Sequence, residues 1–260
     1  MEPNSPLRPP QLRLSPSRVG DFTNCPQLYK YRAILNLPEK ISLDAERGKL
    51  VHSVLEDLYE LPRENRVISS ALELLPSKWA EHLLSKPELA AEITSEKEWI
   101  DRAESLITTY FTLENPTSFD PTYRELHLER DLRDEVYLHG YVDRLDIAPT
   151  GEVRIVDYKT GKSPKPGWEE KALFQLRVYA LLYWRNEGVI PKLLQLIYLG
   201  DSRVVKSEPT EAQLLSTERI LGNIADEILT AIDTDYFPTK KSRLCDWCSF
   251  KEICPAFNWR

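Results

Sequence analysis

Cysteine is scarce in this chain, and none stands between Cys25 and Cys245. The four present lie at the two ends: Cys25 alone, then Cys245, Cys248 and Cys254 in the pattern C-x2-C-x5-C-P. So few thiols in 260 residues argue against a disulfide framework, which small secreted domains build densely. The residues after Met1 (Glu2, Pro3, Asn4) lack the basic and apolar stretches of a secretory signal. No apolar run approaches the length that spans a bilayer. These absences predict a cytoplasmic compartment, no membrane partner and thiols kept reduced. Also missing are an internal repeat and a G-x4-G-K-[ST] phosphate loop, so no helicase motor is expected.

What is present is an ordinary globular composition, with 42% hydrophobic and 29% charged residues, enough to bury a full core. Residues 1–11 carry four prolines and read as a disordered arm; residues 12–260 read as a single domain. The net charge of −7 argues weakly against a nucleic-acid partner, but its distribution matters more. Residues 1–40 hold six Lys/Arg against three acids, and residues 239–260 hold five against two. The cysteine-bearing segments are thus the basic parts of an acidic protein. If the four sulfurs meet, they clamp the first and last segments around a metal centre, and their charges pool. Four thiolates suit an iron–sulfur cluster or a structural zinc, and spacing alone does not choose.

Ser15-Pro16 reads as a cap and first turn of a short helix toward Cys25, with a second segment through Tyr29, Tyr31 and Ile34. A longer helix is predicted over about 43–61, with Leu50, Val51, Val54, Leu55 and Leu58 at helical spacing. Residues 66–113 predict two or three helices, broken near Pro76 and Pro87. From Tyr123 the pattern becomes strand, strand, strand, helix, strand: 125–130, 136–147, 152–158, 168–185 and 193–199. Val204-Val205 adds a short edge strand, and 209–232 a long amphipathic helix. Helices around a small sheet make an α/β fold.

The chemistry gathers in G-Y-V-D-R-L-D (140–146) and I-V-D-Y-K-T-G (155–161). A turn through Pro149-Thr150-Gly151 sets Ala148 opposite Glu152, which carries Asp143 opposite Asp157. Alternation then puts Lys159 on the face of Asp157 and turns Tyr158 away. Two carboxylates facing across strands repel unless a cation compensates them. Oxygen ligands of this kind suit Mg²⁺ or Mn²⁺. The plainer alternative is a solvated Asp157–Lys159 pair, with Asp143 paired to Arg144 or Arg154. His52, with Glu56 one turn on, is a further candidate ligand. Gln175 and Tyr179 share a helix face and suit a phosphate or a base edge. Trp168, Tyr158 and Trp247 could stack on unpaired bases, but packing is the stronger expectation for each and none is named as a contact.

Taken in order, S-P-S-R-V-G-D-F-T-N-C-P, G-K-L-V-H, G-Y-V-D-R-L-D, V-D-Y-K-T-G, F-Q-L-R-V-Y and C-D-W-C-S-F-K-E-I-C-P resemble the RecB-like branch of the PD-(D/E)xK nucleases. The likeness runs from Ser15 to Pro255 and is closest to the iron–sulfur members, the AddB nuclease domain and the CRISPR-associated exonucleases. It implies a central mixed sheet flanked by helices, with the N- and C-terminal segments joined by a metal cluster. His52, Asp143, Asp157 and the Tyr158 carbonyl would hold Mg²⁺ or Mn²⁺, and Lys159 would be the catalytic lysine beside Asp143 and Asp157. Gln175 and Tyr179 would contact substrate or support the site. Cys25, Cys245, Cys248 and Cys254 would hold a [4Fe–4S] cluster. Position 157 is Asp where many members have Glu, and either carboxylate ligates. The activity implied is a single-strand-preferring DNA exonuclease in repair or processing, alone or beside a helicase or repair partner. The competing reading is a non-catalytic nucleic-acid-binding or redox-sensing protein built on the same cysteines.

Overall fold

The computed structural model describes residues 12–165 and 167–258. The arm expected over 1–11 lies outside the described residues. In chain order the elements are β1 (Leu12–Leu14), α1 (Pro16–Asn24), α2 (Pro26–Tyr29), α3 (Leu43–Leu58), α4 (Ile68–Ser85), α5 (Leu89–Glu92) and α6 (Glu96–Leu113). There follow β2 (Tyr123–Arg133), β3 (Val136–Ile147), β4 (Val153–Lys159), α7 (Glu170–Glu187), β5 (Leu193–Tyr198), β6 (Arg203–Ser207) and α8 (Glu211–Asp233). Helices thus flank a mixed sheet, as expected.

Local chemistry explains most boundaries. Ser15 caps α1 by accepting from the Arg18 amide at 3.3 Å, with Pro16 in the first turn. Ser42 caps α3 in the same way. Gly188, at φ +74°, ends α7 in the left-handed region. One expectation fails, and one strand goes unforeseen. Pro76 does not break its helix: α4 runs through it, because Ala71, Leu75 and Trp79 bury one face across that point. Leu12–Leu14 is a strand that no pattern announced, since three residues carry too little period to read.

The fold divides into two compact units. One holds the residues up to Lys40 with Leu128–Gly140 and Ala212 onward. In it β1 runs parallel to the start of β3, Leu12 facing Val136. The terminal segments meet here: Tyr31 donates to the Ile253 carbonyl (3.1 Å) and the Lys40 amide to Ser249 (3.3 Å). Lys240 Nζ donates to the Thr23 carbonyl (3.2 Å).

The other unit holds Ile41–His127 and Tyr141–Glu211. Its core packs α3 (Leu50, Val54, Leu58), α4 (Leu75, Trp79) and α6 (Trp99, Ile107, Tyr110) on Val156, Tyr158 and Ile197 of the sheet. Each buried leucine lost to alanine in such a core costs about 2–5 kcal/mol. β4 and β5 run parallel and are almost wholly buried, as a central pair covered on both faces should be. β3 flanks β4 and β6 flanks β5, both antiparallel. Arg144 faces Val156, Asp146 faces Arg154, and the Ala148 amide donates to Glu152 across a turn with Gly151 at φ +88°. That is the hairpin register the turn residues implied.

Candidate active site and a cysteine-lined cavity

Register does most of the positioning. With Arg144 opposite Val156, the ends of β3 and β4 bring Asp143 to Asp157, and Asp143 Oδ2 accepts from the Tyr158 amide at 2.7 Å. Alternation turns Tyr158 to the far side, into the helical core, where it is 5% exposed. Lys159 returns to the near side, its Nζ 2.7 Å from Asp157 Oδ2. From α3, His52 Nε2 donates to the Tyr158 carbonyl at 3.0 Å, and its Nδ1 faces Asp143 Oδ2 at 3.5 Å. From α7, Gln175 donates to Asp157 Oδ1 (3.0 Å) and to the Tyr179 hydroxyl (2.8 Å), and accepts from Lys159 (3.0 Å).

The plainer alternative does not describe this arrangement. Asp157 and Lys159 do pair, but Asp157 is 2% exposed. Arg144 and Arg154 turn to Asp146 and Glu114, not to Asp143. Arg144 is 1% exposed and forms a fork on Glu114 (2.6 and 2.9 Å). It also donates to the hydroxyls of Tyr59 (3.0 Å) and Tyr158 (2.6 Å). A buried guanidinium thus fixes the hairpin from behind, one residue from Asp143 and through the side chain next to Asp157.

One site residue escaped the sequence reading. Glu125 joins His52 and Asp143 in the one group of three ligand-type side chains, among the described residues, whose donor atoms lie within 4.8 Å of one another. Its φ of +45° is left-handed inside β2. Such a backbone breaks strand alternation, so period-2 reasoning cannot say where its side chain points. A cavity of about 10 Å³, the size of a single small ion or water, is lined by His52, Glu56, Glu125, Asp143 and Tyr158 among others.

The electrostatics are those of a site crowded with negative charge. Burial, the Asp143 charge and Glu56 push Glu125 up to about 7. Burial and Asp143 push Asp157 up to about 6, against the pull of Lys159. Burial opposes charge on His52, yet its bond to Asp143 and the charges of Asp143, Asp157 and Glu125 raise it to about 9. Burial opposes charge on Lys159, but the charge and hydrogen bond of Asp157 and the charge of Asp143 together raise it, so it stays cationic at neutral pH. The buried Asp157 Oδ2 is met by the Lys159 ammonium at 2.7 Å and, among the described residues, by no other donor. Glu125, Asp143 and His52, whose donor atoms converge within 4.8 Å, form a donor set that fits a hard divalent cation.

In the other unit, Cys25, Cys245, Cys248 and Cys254 line one cavity of about 50 Å³, with Tyr31, Leu244 and Phe257. The Lys240 amide points at Cys25 Sγ and the Ser242 amide at Cys245 Sγ, both at 3.4 Å. Burial raises Cys254, and the neighbouring thiols Cys25, Cys248 and Cys245 raise it further. All four thiols are half-buried and free of disulfides.

A mixed sheet thus carries an Asp/Asp-x-Lys hairpin, with a histidine presented from a preceding helix. Residues 13–255 match the PD-(D/E)XK nuclease superfamily, and the chain belongs to it. Among curated relatives, the Gene 69 protein of Mycobacterium phage D29 is 24% identical over 273 residues, covering 94% of this chain and 97% of that one. The Gene 69 protein of Mycobacterium phage L5 is 28% identical over 128 residues, 48% of this chain and 42% of that protein's length. Among solved structures, an exonuclease candidate from Eubacterium rectale shares the fold, with a TM-score of 0.63. It is 16% identical over 91% of this chain and 86% of that one. No described helix is long and apolar enough to cross a membrane.

Proposed function

We propose that this nuclease hydrolyses DNA with Mg²⁺ or Mn²⁺, as an exonuclease preferring single strands and serving repair or processing. The observation that carries the reading is the convergence of His52, Glu125 and Asp143, with donor atoms within 4.8 Å of one another, next to the buried Asp157. His52 (through Nδ1), Glu125, Asp143, Asp157 and the Tyr158 carbonyl would hold the ion. When bound, a divalent ion supplies an activated water and charge neutralisation at the phosphate. The protein's own residues do the rest. Lys159 stays protonated and would place its ammonium against the phosphate oxygens as negative charge develops. Gln175 fixes Lys159 and Asp157 relative to each other, and Tyr179 fixes Gln175, so both act by positioning. Burial of Asp157 keeps bulk water from competing for its oxygens.

The four cysteines would hold a [4Fe–4S] cluster in this reading. Their shared cavity is what supports a common centre. The cluster would be a staple between the terminal segments rather than a redox partner in hydrolysis.

The test is a cleavage assay in Mn²⁺ or Mg²⁺, free of oxygen, on end-labelled and circular single- and double-stranded DNA. Wild type should shorten single-stranded ends. Asp157→Ala and Lys159→Ala should abolish cleavage while the visible absorbance of the cysteine centre persists. Full activity in either variant refutes the site assignment.

A further inference from the structure

The ribbon of β2 and β3 carries a second cross-strand pair beside its carboxylates, and that pair is aromatic. His127 of β2 and Tyr141 of β3 stack with ring centroids 4.6 Å apart and planes 23° from parallel. His127 stands two residues from Glu125, and Tyr141 two residues from Asp143, the carboxylates that converge with His52. Val142, between Tyr141 and Asp143, is fully buried. Those two side chains therefore share the opposite face of β3, about 7 Å apart along the strand. The strand that places Asp143 thus places the ring as well, with no loop between them.

A cross-strand aromatic pair stabilises a hairpin, and that role accounts for one face of Tyr141. It does not account for the other. With the imidazole lying nearly parallel on one side, Tyr141 is still 55% exposed, so the open area is the face turned away from His127. Tyr158, the neighbour of Asp157, shows the reverse: its ring belongs to the core. Around Tyr141 the ribbon offers an imidazole and carboxylates rather than a continuous apolar patch, so a protein partner would find little to bury. A ligand with a flat face and an adjoining phosphate suits the ring and the carboxylate site together, and that ligand is a nucleotide.

We propose that Tyr141, backed by His127, is the stacking platform for an unpaired nucleobase of the strand whose phosphate lies at the carboxylate site. The inference rests on the nuclease reading and adds the determinant of its strand preference. Carboxylates and their ion meet only phosphate, which single strands and duplexes share, whereas the bases inside a duplex have no free face to offer the ring.

The test reads binding, not cleavage. Fluorescein-labelled oligo(dT), an abasic oligonucleotide of the same length and a duplex are titrated in Ca²⁺, which neutralises the carboxylates. The proteins are wild type, Tyr141→Ala and Tyr141→Phe. Tyr141→Ala should weaken oligo(dT) binding about 5- to 150-fold, the range for one stacked base. It should leave affinity for the abasic strand and for the duplex unchanged, because neither offers the ring a free base. Tyr141→Phe keeps the ring and should retain most of the affinity. Equal oligo(dT) affinity in wild type and Tyr141→Ala overturns the proposal. So does an equal loss on the abasic strand, and a parallel loss of Mn²⁺ affinity would then show that the ring only holds the ribbon. A wild type that binds as stated but cleaves nothing in Mn²⁺ would instead overturn the nuclease reading alone.

Discussion

The carboxylate site and the cysteine cavity solve the same problem, gathering four or more ligand side chains, by opposite means. At the carboxylate site strand register, a helix and a buried guanidinium set every side chain before any ion arrives. Asp157 is bonded by Gln175, Asp143 by the Tyr158 amide, and Arg144 holds the hairpin from behind. The thiols come from short turns at the two ends of the chain, with amide contacts of 3.4 Å to two of them. On the proposed reading, the first site is preorganised by the fold and the second would lean on its occupant. Removing metal should therefore leave the hairpin folded and loosen the cysteine-bearing unit.

The largest effect that would break this comparison is at the cysteines. Cys248→Ser should abolish visible absorbance in protein purified without oxygen. It should also collapse hydrogen-exchange protection in α1 and α2, because binding energy of the centre is folding energy, on the order of 10 kcal/mol for a structural metal. Mn²⁺ affinity at the His52 site should stay within a few-fold of wild type. A Cys248→Ser protein with native exchange protection would show that the cavity, too, is set by the fold alone.

Next in size is Arg144→Met. It leaves the Glu114 carboxylate buried with weaker partners, Gln195 at 3.3 Å and Arg154 at 3.7 Å. Stability should fall by about 3–5 kcal/mol, the usual result of removing one partner of a buried pair. If the guanidinium also positions the hairpin, Mn²⁺ binding should weaken under conditions where the variant is still folded. Unchanged Mn²⁺ affinity in folded Arg144→Met would confine Arg144 to a structural part.

How much of this was legible in the residues follows the same division. The Pro-Thr-Gly turn fixed the register, and register fixed Asp143, Asp157 and Lys159, because strand geometry has a period of two and little freedom. Glu125 was illegible because its positive φ suspends that period. Arg144 was illegible because its partners Glu114 and Tyr59 lie 30 and 85 residues away, beyond any local pattern. Pro76 misled because its local preference against helix is smaller than the gain from burying the face of α4. The cysteine spacing named a soft-ligand set but not its metal, since ligand type is encoded locally and cavity size is not.

A smaller effect separates the sites by pH. A protonated imidazole binds no cation, and His52 sits near 9 while Glu125 and Asp157 sit near 7 and 6. Deprotonation favours metal, so Mn²⁺ affinity should rise with pH. The slope should be about tenfold per unit between pH 7 and 9, where His52 alone releases its proton, and steeper below 7, where the carboxylates add theirs. Manganese titrations followed by electron paramagnetic resonance at pH 6, 7, 8 and 9 would show it. A flat profile from 7 to 9 removes His52 from the ligand set.

The smallest effect is Tyr158→Phe, and it asks whether the hairpin is held by its backbone or by its side chains. The hydroxyl takes one 2.6 Å bond from Arg144, which keeps Glu114 and Tyr59 when that bond is gone. The ring itself, and its edge contact with Tyr110, survive the change. Stability should fall by only about 1–1.5 kcal/mol, the net worth of a hydrogen bond to a buried charged group at its low end. The amide that Asp143 accepts from and the carbonyl that His52 donates to are untouched. Mn²⁺ affinity should therefore stay within about twofold of wild type, because the preorganisation at this residue is carried by the main chain. A tenfold loss would mean that the hydroxyl, and through it Arg144, sets the ligand geometry, and would place the origin of preorganisation in the buried charge network instead of in strand register.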